Sequence, residues 1–167
     1  MRTQRTYKTT HDLVMTGLFV ALGIIIPYIT SHAWGVPGTV LLPMHIPVLL
    51  AGFFCGSRYG ALAGLVTPLL SSLITGMPPP FPMLPIMMGE LTMYGFTGGL
   101  MYRKFRLPMF AALPAAMVAG RAVFGLMLPI LLLAAPGNMM LMNMSVWGAV
   151  TAGLPGIAIQ LVLIPVI

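Results

Sequence analysis

The sequence predicts an all-α integral membrane protein with six transmembrane helices and both termini in the cytoplasm. Of its 167 residues, 59% are hydrophobic and only 6% are charged, whereas soluble domains carry about 25% charged residues. Apolar runs recur along the chain at lengths suited to crossing a bilayer, and the basic residues lie at the ends of these runs. We therefore expect residues 1–167 to form a single membrane domain.

The predicted helices follow the apolar runs. They cover about residues 13–28, 40–56, 59–75, 83–101, 109–134 and 145–167. At about 20 residues per crossing, six helices use about 120 residues and leave only short loops. Residues 76–82 interrupt the pattern because Pro78, Pro79 and Pro80 lack backbone donors and favour extended geometry.

The basic residues orient the predicted bundle. If the first helix starts inside, the cytoplasmic side receives Arg2, Arg5, Lys8, Arg58, Arg103, Lys104 and Arg106, and the predicted outer loops hold no Lys or Arg. This distribution follows the positive-inside rule. The net charge of +6 is therefore explained by topology, and scattered basic residues do not indicate a nucleic-acid partner. We expect a multi-pass protein surrounded by lipid in a prokaryotic plasma membrane.

Small residues recur four positions apart on several predicted helices. They form the stripes Gly17-xxx-Ala21, Gly60-xxx-Gly64, Gly95-xxx-Gly99 and Ala112-xxx-Ala116-xxx-Gly120. Such stripes let helix backbones approach closely inside a membrane. They predict packing within the bundle, except that the stripe on the first helix has a second interpretation given below.

Two oppositely charged residues are predicted at the same depth in the membrane. Glu90 is seven residues beyond Met83 on a helix descending from outside, and Arg121 is twelve residues beyond Met109 on a helix rising from inside. At 1.5 Å per residue, both lie about 10–12 Å below the outer surface of a core about 30 Å thick. The pair has two interpretations: a structural clamp, or the floor of a pocket in which Arg121 meets an anionic substrate.

Other polar and aromatic residues cluster toward the same predicted outer end. His45 has a similar depth, Asn143 enters the last helix, and Phe81 lies in the proline-rich loop. Trp34 and Trp147 fit either ligand stacking or the aromatic belt of the membrane interface. The 16 methionines supply soft, adaptable walls. The sequence therefore predicts a ligand cavity near the outer surface.

Several kinds of chemistry lack the residues they need. The chain has no glycine-rich phosphate loop ending in Lys-Ser/Thr, and its histidines do not have metal-ligand spacing. A lone Cys55 forms no internal disulfide and no cysteine metal cluster. We expect no catalytic residues, no metal and no cofactor, and hence no enzyme.

Several segments resemble the substrate-binding S components of energy-coupling factor (ECF) transporters. The resemblance covers nearly the whole chain, and its segments are Leu42-Pro43-Met44-His45-Ile46-Pro47-Val48-Leu49-Leu50-Ala51-Gly52, Arg58-Tyr59-Gly60, Thr67-Pro68-Leu69-Leu70-Ser71-Ser72, Thr75-Gly76-Met77-Pro78-Pro79, Glu90-Leu91, Tyr94-Gly95 and Gly153-Leu154-Pro155-Gly156-Ile157. Such proteins bind a vitamin or related micronutrient from outside. The resemblance implies an importer of the ABC type whose coupling transmembrane subunit and two ATPase subunits supply ATP hydrolysis. It also implies docking of these partners on the first helix, where Gly17 and Ala21 replace an Ala-xxx-Ala-like motif.

Two classes of substrate are compatible with the predicted site residues. The resemblance is to pantothenate-type S components, and a carboxylate ligand suits Arg121 and His45. A neutral pyrimidine or pyridine vitamin precursor suits Glu90, Asn143 and aromatic stacking instead. The expected substrate-binding residues are His45, Glu90, Arg121, Asn143, Trp34, Phe81, Tyr94 and Trp147.

The alternatives to an S component are a stand-alone proton-coupled carrier, in which Glu90 titrates, and a non-transporting membrane scaffold.

Overall fold

The computed structural model describes the backbone of residues 2–35 and 38–166, and the side chains of residues 9–31, 35 and 40–166. Every regular element in this part of the chain is helical. The elements are α1 (Arg2–Trp34), α2 (Gly38–Leu41), α3 (His45–Cys55), α4 (Ser57–Thr75), α5 (Met83–Gly99), a π-helical turn (Leu100–Lys104), α6 (Met109–Ala134), α7 (Met139–Met142), α8 (Val146–Ala152) and α9 (Leu154–Val166).

The length and hydropathy of the helices support two to three membrane spans. Residues Thr9–Ser31 of α1 and the whole of α6 are each long and apolar enough to cross a bilayer. The pair α8 and α9 passes the same criterion together, with a bend of 59° between them. The remaining predicted spans are shorter or more polar, so the six-span topology remains a prediction.

Two predicted helices are interrupted in the structure. The segment 40–56 divides into α2 and α3 around a turn in which Leu42 has a φ of 49°, and Pro43 cannot supply the backbone donor that a continuous helix needs. The segment 145–167 divides at Gly153, two residues before Pro155. Bends of this size in helices are commonly caused by proline. In contrast, α1 is longer than the predicted 13–28 because its polar N-terminal residues and residues 29–34 are helical too.

Glycines determine how closely the central helices pack. A Cβ added to Gly60 of α4 would meet the backbone oxygen of Gly95 of α5, and a Cβ on Gly64 would meet that of Leu91. Gly99 is similarly close to the backbone of Gly52 in α3. The predicted packing role of the stripes on α4 and α5 is therefore confirmed. As a result α5 lies at the centre, in contact with α3, α4 and α6.

The outward faces of the helices are apolar. Leu133, Leu73 and Phe110 expose 84%, 75% and 74% of their surface. Exposed apolar surface on this scale is unusual in a soluble protein and is what a lipid-facing helix requires. Inside the bundle, the Gln160 amide of α9 donates to the backbone oxygen of Leu42 at 3.5 Å. This bond provides a second donor, besides the backbone nitrogen of His45, to a carbonyl at the break between α2 and α3.

Candidate ligand-binding cavity

One end of the bundle contains a cavity of about 840 Å³. Its walls come from the C-terminal end of α1, the turn before α3, the end of α4, the proline-rich loop, the first half of α5, the middle of α6 and the segment from α7 to α8. Pockets for small molecules commonly measure about 300–1,000 Å³. The cavity is therefore large enough for a molecule of vitamin size.

The floor of the cavity is built from three ionisable side chains on three helices. Nη1 of Arg121 on α6 lies 3.0 Å from Oε1 of Glu90 on α5, and Nε2 of His45 on α3 lies 3.9 Å from the same oxygen. These side chains are 13%, 5% and 3% exposed, respectively. The predicted ion pair between Glu90 and Arg121 is thus present, and the imidazole of His45 lies next to it. All three residues line the cavity.

The position of each floor residue follows from its local sequence. His45 opens α3 directly after the turn, where its backbone nitrogen donates to the oxygen of Leu42 at 3.1 Å. Glu90 reaches the cavity because the glycines of α5 hold that helix in the centre of the bundle. Phe124 follows Arg121 by one helical turn, and the guanidinium carbon lies 5.9 Å from the centre of its ring.

Tyr94 supports the floor from beneath. It is 1% exposed, and its ring meets that of His45 edge to face at 5.0 Å between centroids. The ring fits because it lies against Gly120 of α6, where an added Cβ would collide with it. Tyr94, predicted among the substrate-binding residues, is not among the residues that line the cavity, and its ring contacts His45 of the floor.

Replacing Gly120 with alanine is expected to lower the free energy of unfolding by about 1–3 kcal/mol, the usual cost of overpacking a core, since the Tyr94 ring must move. Thermal unfolding of the purified protein measures this. Gly125→Ala on the same helix is the control, because its added Cβ would have only one neighbour, Val146 Cγ2 at 3.4 Å. Equal melting temperatures for the two variants would contradict the supporting role of Tyr94.

Several polar atoms on the floor lack hydrogen-bond partners within the described part of the chain. They are Nδ1 and Nε2 of His45, Oε1 of Glu90, and Nε and Nη2 of Arg121. The contact between Glu90 and Arg121 is short but is not aligned as a hydrogen bond. Buried polar groups are usually satisfied, because leaving one unpaired costs about 1–3 kcal/mol. A bound molecule that pairs with these atoms would recover that free energy.

The walls above the floor are mainly apolar. Six methionines contribute to them: Met44, Met77, Met83, Met87, Met140 and Met144. Unbranched thioethers adapt to the shape of a ligand, as the methionine content of the sequence predicts. The proline-rich loop is held in place by Ser71 of α4, whose hydroxyl donates to the backbone oxygen of Met77 at 2.7 Å.

The other predicted site residues are placed differently. Asn143 lines the cavity, whereas Phe81 is 47% exposed and Trp147 is 80% exposed, and neither belongs to the lining. The side chain of Trp34 lies outside the described residues. Sequence reasoning missed Phe124 and Met87, although each lies three residues from a floor residue, a spacing that brings side chains to the same helix face.

The described part of the chain has no candidate metal site, because no three His, Cys, Asp or Glu side chains come together there. The ionisable residues that line the cavity within this part of the chain are Tyr28, His45, Glu90 and Arg121. Such a set suits hydrogen bonding and ion pairing with a small molecule.

The model of one protein family matches this chain. The family is described as "ECF transporter, substrate-specific component", and the match covers residues 11–167. The chain belongs to this family. Its members are substrate-binding subunits of transporters and are membrane proteins rather than enzymes. No curated protein and no solved structure matches the chain, so the assignment rests on the family model.

Proposed function

We propose that the cavity is the substrate site of this S component and that it binds a vitamin or related micronutrient from outside the cell. The observation that carries this proposal is the floor: three buried ionisable residues from three helices meet beneath an apolar cavity, and their polar atoms lack partners among the described residues. His45, Glu90, Arg121 and Asn143 are the residues we assign to ligand contact. Tyr94 acts through the floor.

The proposed topology has six spans with both termini in the cytoplasm of a prokaryotic cell. The spans are α1, α2 with α3, α4, α5, α6, and α8 with α9. The cavity lies at the end of the bundle where α4 finishes and α5 begins, whereas exposed Arg58, Arg103, Lys104 and Arg106 lie at the opposite ends of these helices. This separation supports a cavity that opens outward.

Lys104→Cys tests this orientation. In intact cells a thiol reagent that cannot cross the membrane should not label this cysteine, because residue 104 is expected on the cytoplasmic side. Labelling at that position would contradict the orientation.

The proposed partners are a coupling transmembrane subunit and two ATPase subunits. We assign their docking to the small-residue face of α1 around Gly17 and Ala21. Both residues are exposed, and an added Cβ on Gly17 would meet nothing within 4 Å. Among the described residues, Gly17 therefore has open space where a side chain would stand, in contrast to the glycines of α4 and α5.

Replacing Gly17 with leucine is expected to leave ligand binding intact and to reduce ATP-driven uptake at least tenfold when the chain is assembled with its partner subunits, because a bulky side chain keeps the partner helix away. Uptake of radiolabelled ligand in proteoliposomes measures this effect. Ala122→Leu, at an exposed position of α6, is the control and should transport normally. Equal uptake by the two variants would contradict docking at Gly17.

The sequence favours pantothenate because it resembles pantothenate-type S components and because a carboxylate suits Arg121 and His45. The structure pairs Arg121 with Glu90 at 3.0 Å, which weakens that argument. We therefore propose the broader class, a vitamin-sized small molecule with an apolar body and a polar end.

The proposed function is tested by equilibrium binding to the purified chain without ATP. We expect one small molecule to bind each chain, and we expect Arg121→Ala to abolish binding.

Proteoliposomes containing only this chain should not accumulate the ligand under a pH gradient. Accumulation that is lost in Glu90→Gln would overturn the assignment and would indicate a proton-coupled carrier.

A further inference from the structure

The charges on the floor of the cavity cancel. Glu90 and Arg121 are in contact, both are largely buried, and Tyr28 and His45 are the other ionisable residues in the described lining. The carboxylate of Glu90 and the guanidinium of Arg121 contribute one negative and one positive charge, and these two charges balance. Since charges in a poorly solvated site interact strongly, this balance bears directly on the charge of the ligand.

The unpartnered atoms on the floor are of two complementary kinds. Nε and Nη2 of Arg121 are donors, whereas Oε1 of Glu90 is an acceptor, and the side chains that carry them are 13% and 5% exposed. His45 adds one donor and one acceptor in its neutral form. A ligand that offers only acceptors would satisfy Arg121 and leave Glu90 unpaired. A ligand that offers an acceptor beside a donor satisfies both.

We propose that the cavity binds an uncharged small molecule that presents an acceptor to Arg121 and a neighbouring donor to Glu90, as an amide, lactam or aminopyrimidine edge does, in preference to a carboxylate or phosphate anion. This inference rests on the proposed function of the cavity. The apolar, methionine-lined walls suit the remainder of such a molecule, because they offer few partners for further polar groups.

An anionic ligand fits the floor less well for an electrostatic reason. Its negative group would reach Arg121 only beside the Glu90 carboxylate, which already lies 3.0 Å from the guanidinium. Two like charges would then share one buried cation, and such an arrangement is disfavoured. The pairing of Glu90 with Arg121, which weakens the argument for a carboxylate ligand, therefore supports a neutral donor–acceptor group.

The inference is tested with matched probes that differ only in one end group: nicotinamide against nicotinate, and pantothenol against pantothenate. Binding to the purified wild-type chain is measured at equilibrium. We expect the neutral member of at least one pair to bind at least tenfold more tightly than its acid. Tighter binding of the acid would overturn the inference and leave the proposed function standing. If no probe binds to the folded chain, the inference is overturned, whereas the proposed function is decided separately by whether the purified chain carries a bound small molecule.

Glu90→Gln supplies a second measurement, because it leaves Arg121 as an uncompensated positive charge. We expect the affinity ratio of neutral probe to acid to fall at least tenfold in this variant. An unchanged ratio in the folded variant would show that Glu90 does not set the charge preference and would overturn the inference. If Glu90→Gln does not fold, the wild-type comparison decides alone.

Discussion

Replacing Arg121 with alanine is expected to lower the free energy of unfolding by about 3–5 kcal/mol, the usual cost of leaving the other member of a buried ion pair without its partner. Glu90 is 5% exposed and lies 3.0 Å from the lost guanidinium. Thermal unfolding in detergent measures the effect, and at about 2–4 °C per kcal/mol the melting temperature should fall by about 10 °C. Arg58→Ala, at an exposed position at the start of α4, is the control and should melt like the wild type.

The double variant Glu90→Leu/Arg121→Met separates folding from binding. Apolar replacement of both members of a buried ion pair is often neutral or stabilising, so this variant should recover most of the lost melting temperature. It should not recover ligand binding, because the donors and the acceptor of the floor are gone. A single variant Arg121→Ala that melts like the wild type would show that Glu90 is solvated and that the floor is not buried as described.

Replacing Gly95 with leucine is expected to have the other large effect, which is loss of the folded bundle. Gly95 of α5 contacts the backbone of Gly60 in α4, and even a Cβ would collide there. Backbone cannot rotate away as a side chain can, so the two helices must separate. We expect a fall in melting temperature larger than that of Arg121→Ala, or no recoverable folded protein.

The matched control for Gly95→Leu is Gly17→Leu, which makes the same change where an added Cβ would meet nothing within 4 Å. This variant should fold and bind ligand normally. Comparable destabilisation by the two substitutions would mean that leucine itself is harmful in these helices, and it would contradict the close packing of α4 against α5.

The floor of the cavity could be predicted from the sequence because depth in a membrane follows from helix position. Glu90, Arg121 and His45 lie on different helices, yet the rise per residue places them at one level. Charged groups at that depth are costly unless they are paired, so their contact follows. The bounds of α6 could also be read directly, since Pro108 ends the preceding turn and the apolar run continues to Ala134.

Other features depend on packing that the sequence does not reveal. The break between α2 and α3 arises at Leu42, whose positive φ is not typical of leucine. The position of the Tyr94 ring beneath the floor depends on its contact with Gly120 of α6, and the sequence does not show that these two residues meet. Trp147 is predicted near the ligand although a tryptophan suits either a pocket or a membrane interface, and Phe81 is predicted there because it lies in the proline-rich loop. The direction of a side chain decides between these, and composition does not.

The central claim is that the floor formed by His45, Glu90 and Arg121 holds the substrate. Native mass spectrometry of the freshly purified wild type and of the Glu90→Leu/Arg121→Met variant tests it most directly, because that variant is expected to fold. We predict that the wild type carries one additional small molecule per chain and that the variant carries none. The same bound mass on both proteins would contradict the claim and would place the substrate elsewhere.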